Sequence, residues 1–158
     1  MGSKEKGTKP AGRPIEILLV EDSSGDVRLT QEALKEGKVR NNMSVVGDGV
    51  EAMDFLRRKG RHAGAIRPDV ILLDLNLPKK DGREVLSEVK SDENLRRIPV
   101  VILTISGAEQ DILETYNHHA NCYITKPIEV DEFIKVMRSI EEFWLTVVTL
   151  PPNGSADP

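Results

Sequence analysis

The chain has 158 residues, a length that suggests one domain able to bury a single core. Charged residues make up 30% and the formal net charge is −4, which gives no reason to expect nucleic acid or an anionic membrane as partner. No apolar stretch reaches the roughly 18 residues needed to span a bilayer, no apolar signal core opens the chain, and a lone Cys122 excludes an internal disulfide. A cytoplasmic location is the expectation.

Residues 1–13 are rich in Lys, Gly and Pro with almost no apolar content, which predicts a disordered leader. A regular alternation follows. Residues 15–20 form a strand, and 26–36 a helix with Val27, Leu29, Ala33 and Leu34 on its inner side and Gly37 at its C-cap. A shorter strand over 43–47 leads into a helix over 50–59, with Val50, Met53, Phe55 and Leu56 at broadly helical spacing. After a loop come a strand at 69–73, a helix at 83–90 with Val85, Leu86 and Val89 inward, and a strand at 98–103. A helix at 108–118 and a strand at 121–125 precede the last helix, which runs from 129 to about 144. Its Val130, Phe133, Ile134, Met137 and Ile140 repeat at helical spacing. Five βα units of this kind predict an α/β fold, an open doubly wound five-stranded parallel sheet with five helices.

Four of the apolar runs end in reactive polar residues. Ile17 to Val20 runs into Glu21-Asp22, Val70 to Leu73 into Asp74, Val100 to Leu103 into Thr104, and Cys122 to Thr125 into Lys126-Pro127. Ligand sites in parallel sheets open at the carboxyl ends of the strands, so these side chains are expected to converge. Glu21 and Asp22 beside Asp74 would repel one another unless a cation sat between them. An all-oxygen set of this kind suits Mg²⁺. Taken alone, Glu21-Asp22 also reads as a charge pair favourable to a helix N-terminus. Asp74 stands in the apolar stretch Leu72-Leu73-Asp74-Leu75-Asn76-Leu77-Pro78, where an unpaired charge is costly unless it does work such as nucleophilic attack on phosphorus. A strand-end Asp capping the next turn is the bland alternative. Lys126 offers a cation and Thr104 a hydroxyl. Cys122, in a strand-like run, reads as a small core residue.

On these residues the chain resembles the receiver domain of two-component response regulators, over residues 14–143. Glu21-Asp22, Asp74, Thr104 and Lys126-Pro127 match that pattern in order, spacing and strand-end placement. The resemblance implies a flavodoxin-like strand order of 2-1-3-4-5 and a phosphoryl group received on Asp74 from a histidine kinase. It further implies Mg²⁺ held by Asp22, Asp74 and the backbone carbonyl of Asn76, with Glu21 acting through water. Thr104 and Lys126 would ligate the phosphoryl oxygens, and Tyr123 would be the aromatic switch that turns inward with Thr104. Such a protein is not an enzyme beyond its own phosphoryl transfer and dephosphorylation. The stretches 48–52, 72–82 and 121–127 look like the single-domain regulators paired with bacterial phytochromes, which tend to dimerise. Two departures stand out. Position 21 is Glu where Asp is commoner, and Ile105 follows Thr104 where many receivers carry a small residue, which predicts slow loading from small phosphodonors and a long-lived acyl phosphate.

Two other classes compete. A small Mg²⁺-dependent aspartyl-phosphate phosphatase would need an acidic general acid/base two residues after the nucleophile, where this chain has Asn76. A degenerate receiver serving only as an interaction module would not keep the whole acidic set. Gly47-Asp48-Gly49-Val50-Glu51-Ala52 formally fits a dinucleotide fingerprint, but that reading leaves Glu21-Asp22, Thr104 and Lys126 without a role. His118-His119, adjacent on a helix, point about 100° apart and make a poor metal pair, and His62 sits in a loop. The segment 143–150 is too apolar for a free tail. It either packs on its own domain or binds a partner; with Val136, Phe143 and Val147 off the inner stripe, the pattern favours a homodimer through the last helix and the C-terminal extension at 144–158, apolar at first and expected to be disordered at its end.

Overall fold

The computed structural model describes residues 13–104, 120, 122–126 and 128–149, with side chains throughout except at position 104 and over 141–149. Five strands, β1 (Ile15–Val20), β2 (Asn41–Val46), β3 (Val70–Asp74), β4 (Val100–Thr104) and β5 (Cys122–Thr125), form one parallel sheet in the order β2-β1-β3-β4-β5. Among the described residues the helices are α1 (Ser24–Glu36), α2 (Gly49–Arg57), α3 (Gly82–Ser91) and α4 (Val130–Thr149), with a 3-10 turn at Gly60–His62. The helix expected at 108–118 and the leader expected at 1–12 lie outside the described residues.

The apolar strands are apolar because both faces are covered. Leu18 and Val20 of β1, Ile71 and Leu73 of β3 and Val100 and Ile102 of β4 pack on the side carrying α2 and α3. The alternate residues, Ile17, Leu19, Val70, Leu72, Val101 and Leu103, pack with α1 and α4 on the other. A side-chain period of two thus divides each central strand between two cores. The edge strand β2 is only half covered, with Val45 exposed, and it starts two residues earlier than its apolar pattern indicated.

Helix ends follow local chemistry. Ser23 caps α1 by accepting from the Asp26 amide, Asp48 caps α2 by accepting from the Glu51 amide, and Asp81 with Glu84 forms a capping box on α3. Gly37 ends α1 as expected, yet the left-handed residue is its neighbour Lys38, at φ 58°. The last helix extends to Thr149, past the expected end near 144.

Three helix-face assignments are corrected, two of them inward and one outward. Leu29 is 52% exposed, because α1 turns Thr30, Ala33 and Leu34 to the sheet instead. Thr30 is tolerated there because its hydroxyl donates to the Asp26 carbonyl at 2.9 Å. Val50 is likewise 44% exposed at the start of α2. Val136, expected off the inner stripe of α4, is partly buried against the core beside α1.

Candidate functional site

Register alone brings the strand ends together. Val20 of β1 pairs with Leu73 of β3, so Glu21 and Asp74 follow side by side. Asp74 pairs with Leu103, one residue before Thr104, and Thr104 pairs with Thr125, one residue before Lys126. Four sequence segments therefore end on one line across the sheet.

The side chains then close on one another. Lys126, buried, donates from Nζ to Glu21 Oε1 at 2.6 Å, to Asp26 Oδ2 at 3.0 Å and to Asp74 Oδ2 at 3.3 Å. Those three acceptors use all three ammonium protons. Asp74 Oδ1 accepts from the backbone amide of Asn76 at 3.0 Å, and Glu21 Oε2 from that of Ser23 at 3.3 Å. Glu21 and Asp74 are buried while Asp22 is exposed. Ligand oxygens of Glu21, Asp22 and Asp74 all lie within 4.8 Å of one another. This is an all-oxygen donor set that fits a hard divalent cation, open to solvent on the Asp22 side.

The charges are unequally matched. Burial pushes the Glu21 carboxyl up to about 7; the hydrogen bond from Lys126 opposes this and the charge of Asp74 adds to it. Burial works to lower the Lys126 ammonium, but hydrogen bonds to Glu21 and Asp26 and the charge of Asp74 outweigh it, so it is raised. One ammonium faces three carboxylates, and the pocket has spare negative charge to receive a cation or a proton.

Close backbone approach shapes the rim. A Cβ on Gly82 would run into the carbonyl oxygen of Asp74 and the Cα of Leu75, and one on Gly49 into the carbonyl oxygen of Lys80. Gly49 belongs to the stretch that mimicked a dinucleotide fingerprint. Its role is to let the β2–α2 turn pass the loop after β3, across which Lys79 Nζ lies 3.6 Å from Asp48 Oδ2. Glu51 of that same stretch accepts from the Gly47 amide, pairs with Arg61 and lies 3.1 Å from His62 Nε2. His62, uninformative in the sequence, thus fastens α2 to the turn that follows it.

Of the residues singled out from the sequence, Glu21, Asp22, Asp74 and Lys126 meet in the pocket. Thr104 stands at its strand end, where the backbone alone is described, and Asn76 is exposed next to Asp74. Tyr123 is half-buried against the core on the α2–α3 side. The Cys122 thiol is pushed up by burial, which disfavours a reactive thiolate, and it is half-buried rather than fully in the core. Asp26 was missed: it had been read only as the start of a helix, and it lies 100 positions from the Lys126 it contacts. Ile105, His118-His119 and Pro127 lie outside the described residues.

A parallel 2-1-3-4-5 sheet with an acidic pocket and a buried lysine at its carboxyl edge defines a class, and the family comparison agrees. The chain belongs to the response regulator receiver domain family, whose model matches residues 17–138. Within it, the chain is 51% identical to response regulator Rcp1 of Synechocystis sp. over 138 residues, covering 87% of this chain and 94% of that one. It is similar in structure to the phosphorylated cyanobacterial phytochrome response regulator RcpA, at 54% identity and TM-score 0.73, covering 88% of this chain and 99% of that one. It is likewise similar in structure to the Mn²⁺-bound form of Rcp1, at 50% identity and TM-score 0.72, covering 88% of this chain and all of that one (100%). The chain is thus a two-component signalling protein whose partner class is the histidine kinase. Among the described residues no helix is long and apolar enough to cross a membrane.

Proposed function

We propose that this protein is a cytoplasmic response regulator that accepts a phosphoryl group on Asp74 from a histidine kinase, with a phytochrome as the candidate kinase. The observation that carries the reading is Asp74 itself. It is a buried carboxylate at the end of a central strand, 3.3 Å from a lysine ammonium and within reach of two further carboxylates. An Asp74 oxygen forms the new P–O bond while the P–N bond of the donor phosphohistidine breaks, its electron pair staying on the imidazole nitrogen. Lys126 neutralises charge on the transferred group, and the Thr104 hydroxyl, at the next strand end, donates to it. Tyr123 is the switch aromatic, moving with Thr104.

Asp22, Asp74 and the Asn76 carbonyl would hold Mg²⁺, with Glu21 acting through water. When bound, the ion supplies positive charge against the anionic donor and acceptor. The donor set supports this reading, as does the Mn²⁺ found with Rcp1. Catalysis stays confined to the protein's own phosphorylation and dephosphorylation, and the output is an altered surface. Residues 14–143 form the receiver unit. The apolar extension at 144–158 and the outer side of α4 mediate a homodimer. The apolar Phe143, Trp144, Leu145, Val147 and Val148 support that last point. Truncation after Glu142 should yield a monomer on sizing chromatography, and an unchanged dimer would remove the tail from the interface.

The decisive test is phosphotransfer from candidate kinases with Mg²⁺. Wild type should take up label and Asp74→Asn should take up none. Label retained by the Asn variant would refute the assignment.

A further inference from the structure

Among the described residues Lys126 has three hydrogen-bond partners, and two of them have another task. Glu21 and Asp74 belong to the oxygen cluster that suits a divalent cation, and Asp74 is also the proposed phosphoryl acceptor. Asp26 belongs to neither. It stands in the first turn of α1 and its carboxylate is one-third exposed, on the outer side of the ammonium. At the third position of a helix, an acidic side chain commonly reaches back to the cap residue's amide. The Asp26 backbone amide does bind the Ser23 cap, but its carboxylate turns to the lysine that directly follows β5.

A divalent cation entering beside Glu21 and Asp74 meets the Lys126 ammonium already there. The two positive charges compete for the same oxygens. The ammonium must slacken its hold on Glu21 while remaining buried, and a buried ammonium needs another acceptor. Among the described residues, Asp26 is the acceptor that remains. We propose that Asp26 is a positioning residue that retains the Lys126 ammonium when Glu21 and Asp74 turn to the cation and the phosphoryl group, and so sets both the metal affinity and the readiness of the pocket. This rests on the reading of the acidic cluster as a divalent-metal site.

The test is a double-mutant cycle on Mn²⁺ affinity of the unphosphorylated protein, read by electron paramagnetic resonance of the free ion. Asp26→Asn should weaken binding about tenfold in the wild-type background and less than about threefold in the Lys126→Met background. An equal loss in both backgrounds would show a general charge effect, and no loss in the first would show no effect at all. Either result overturns the proposal. Asp22→Asn serves as the control for the underlying reading. If it leaves Mn²⁺ affinity unchanged, the metal site itself fails, whatever Asp26 does.

A second measurement does not depend on the folding of Lys126→Met. With lysine ammonium groups labelled with ¹⁵N, wild type saturated with Mg²⁺ should show a slowly exchanging Lys126 Nζ resonance, and Asp26→Asn at equal saturation should lose it. A resonance that persists in the variant would overturn the role assigned to Asp26. Phosphotransfer to Asp26→Asn should fall about tenfold at limiting Mg²⁺ and recover most of the loss at saturation, a split that plain loss of fold would not produce.

Discussion

Glu21 is the residue whose charge state decides how the pocket meets a cation. Burial pushes its carboxyl up to about 7. A folded-state value above the unfolded one means that the native protein holds this proton where the unfolded chain has lost it. The resulting contribution to stability is present below the unfolded value of 4.5 and is lost as pH rises through about 7. For a bound cation the order is reversed, because the ion must displace that proton. Mn²⁺ affinity should therefore be about tenfold weaker at pH 6 than on its plateau above pH 8. Titration by electron paramagnetic resonance at the two pH values checks this, and a flat profile would mean that Glu21 is ionised throughout. Asp22 is the exposed member of the set.

The loop between β3 and α3 shows how neighbouring positions carry unlike duties. Asp81 makes a capping box with Glu84, and Gly82 lies against the backbone of Asp74 and Leu75. Asp81→Ala should cost about 1 kcal/mol in chemical denaturation, the usual value of a lost cap, with metal affinity unchanged. Gly82→Ala should cost about 2 kcal/mol or more by overpacking and should weaken metal binding as well, because the strain falls on the Asp74 carbonyl. Equal effects of the two on both measurements would contradict this division. The elements themselves were legible to different degrees. β1 and β3 are largely apolar runs because two cores cover them, and their bounds match the sequence pattern to within a residue. β2 was read two residues late because an edge strand exposes polar positions that look like loop. Leu29 and Val50 were placed inward on their apolarity, yet a buried Thr30 that satisfies its own hydroxyl within the helix takes the place that Leu29 was given.

For the molecule as a whole, the pocket is a concentration of like charge at the edge of an apolar sheet, stabilised by the Lys126 ammonium. Binding that relieves this repulsion in the native state alone must raise the stability of the entire domain. Mg²⁺ at about a hundred times its dissociation constant should add about 2.7 kcal/mol, read as an increase in Tm. Asp22→Asn should abolish most of that increase while leaving the metal-free Tm close to that of wild type, since Asp22 is exposed and outside the Lys126 network. A full Mg²⁺ response in the variant would separate the stabilising ion from the acidic cluster. Phe133, fully buried in the core shared by α1 and α4, sets the opposite limit. Phe133→Ala should lower stability by about 3–5 kcal/mol with or without the ion.

The sequence by itself determined the alternation of strands and helices, the parallel sheet, and the strand-end positions of Glu21, Asp22, Asp74, Thr104 and Lys126. Burial on both faces and the turn into each helix leave their marks within a few residues of one another, so such features are written locally. Only the tertiary structure decided which charges touch. The three-way grip on Lys126, and Asp26 as one of its members, depends on how α1 leaves the sheet relative to β5, a relation between segments 100 positions apart. Apolar pattern likewise marks which helices pack, but not how each is rotated, and Leu29, Val50 and Val136 record that difference.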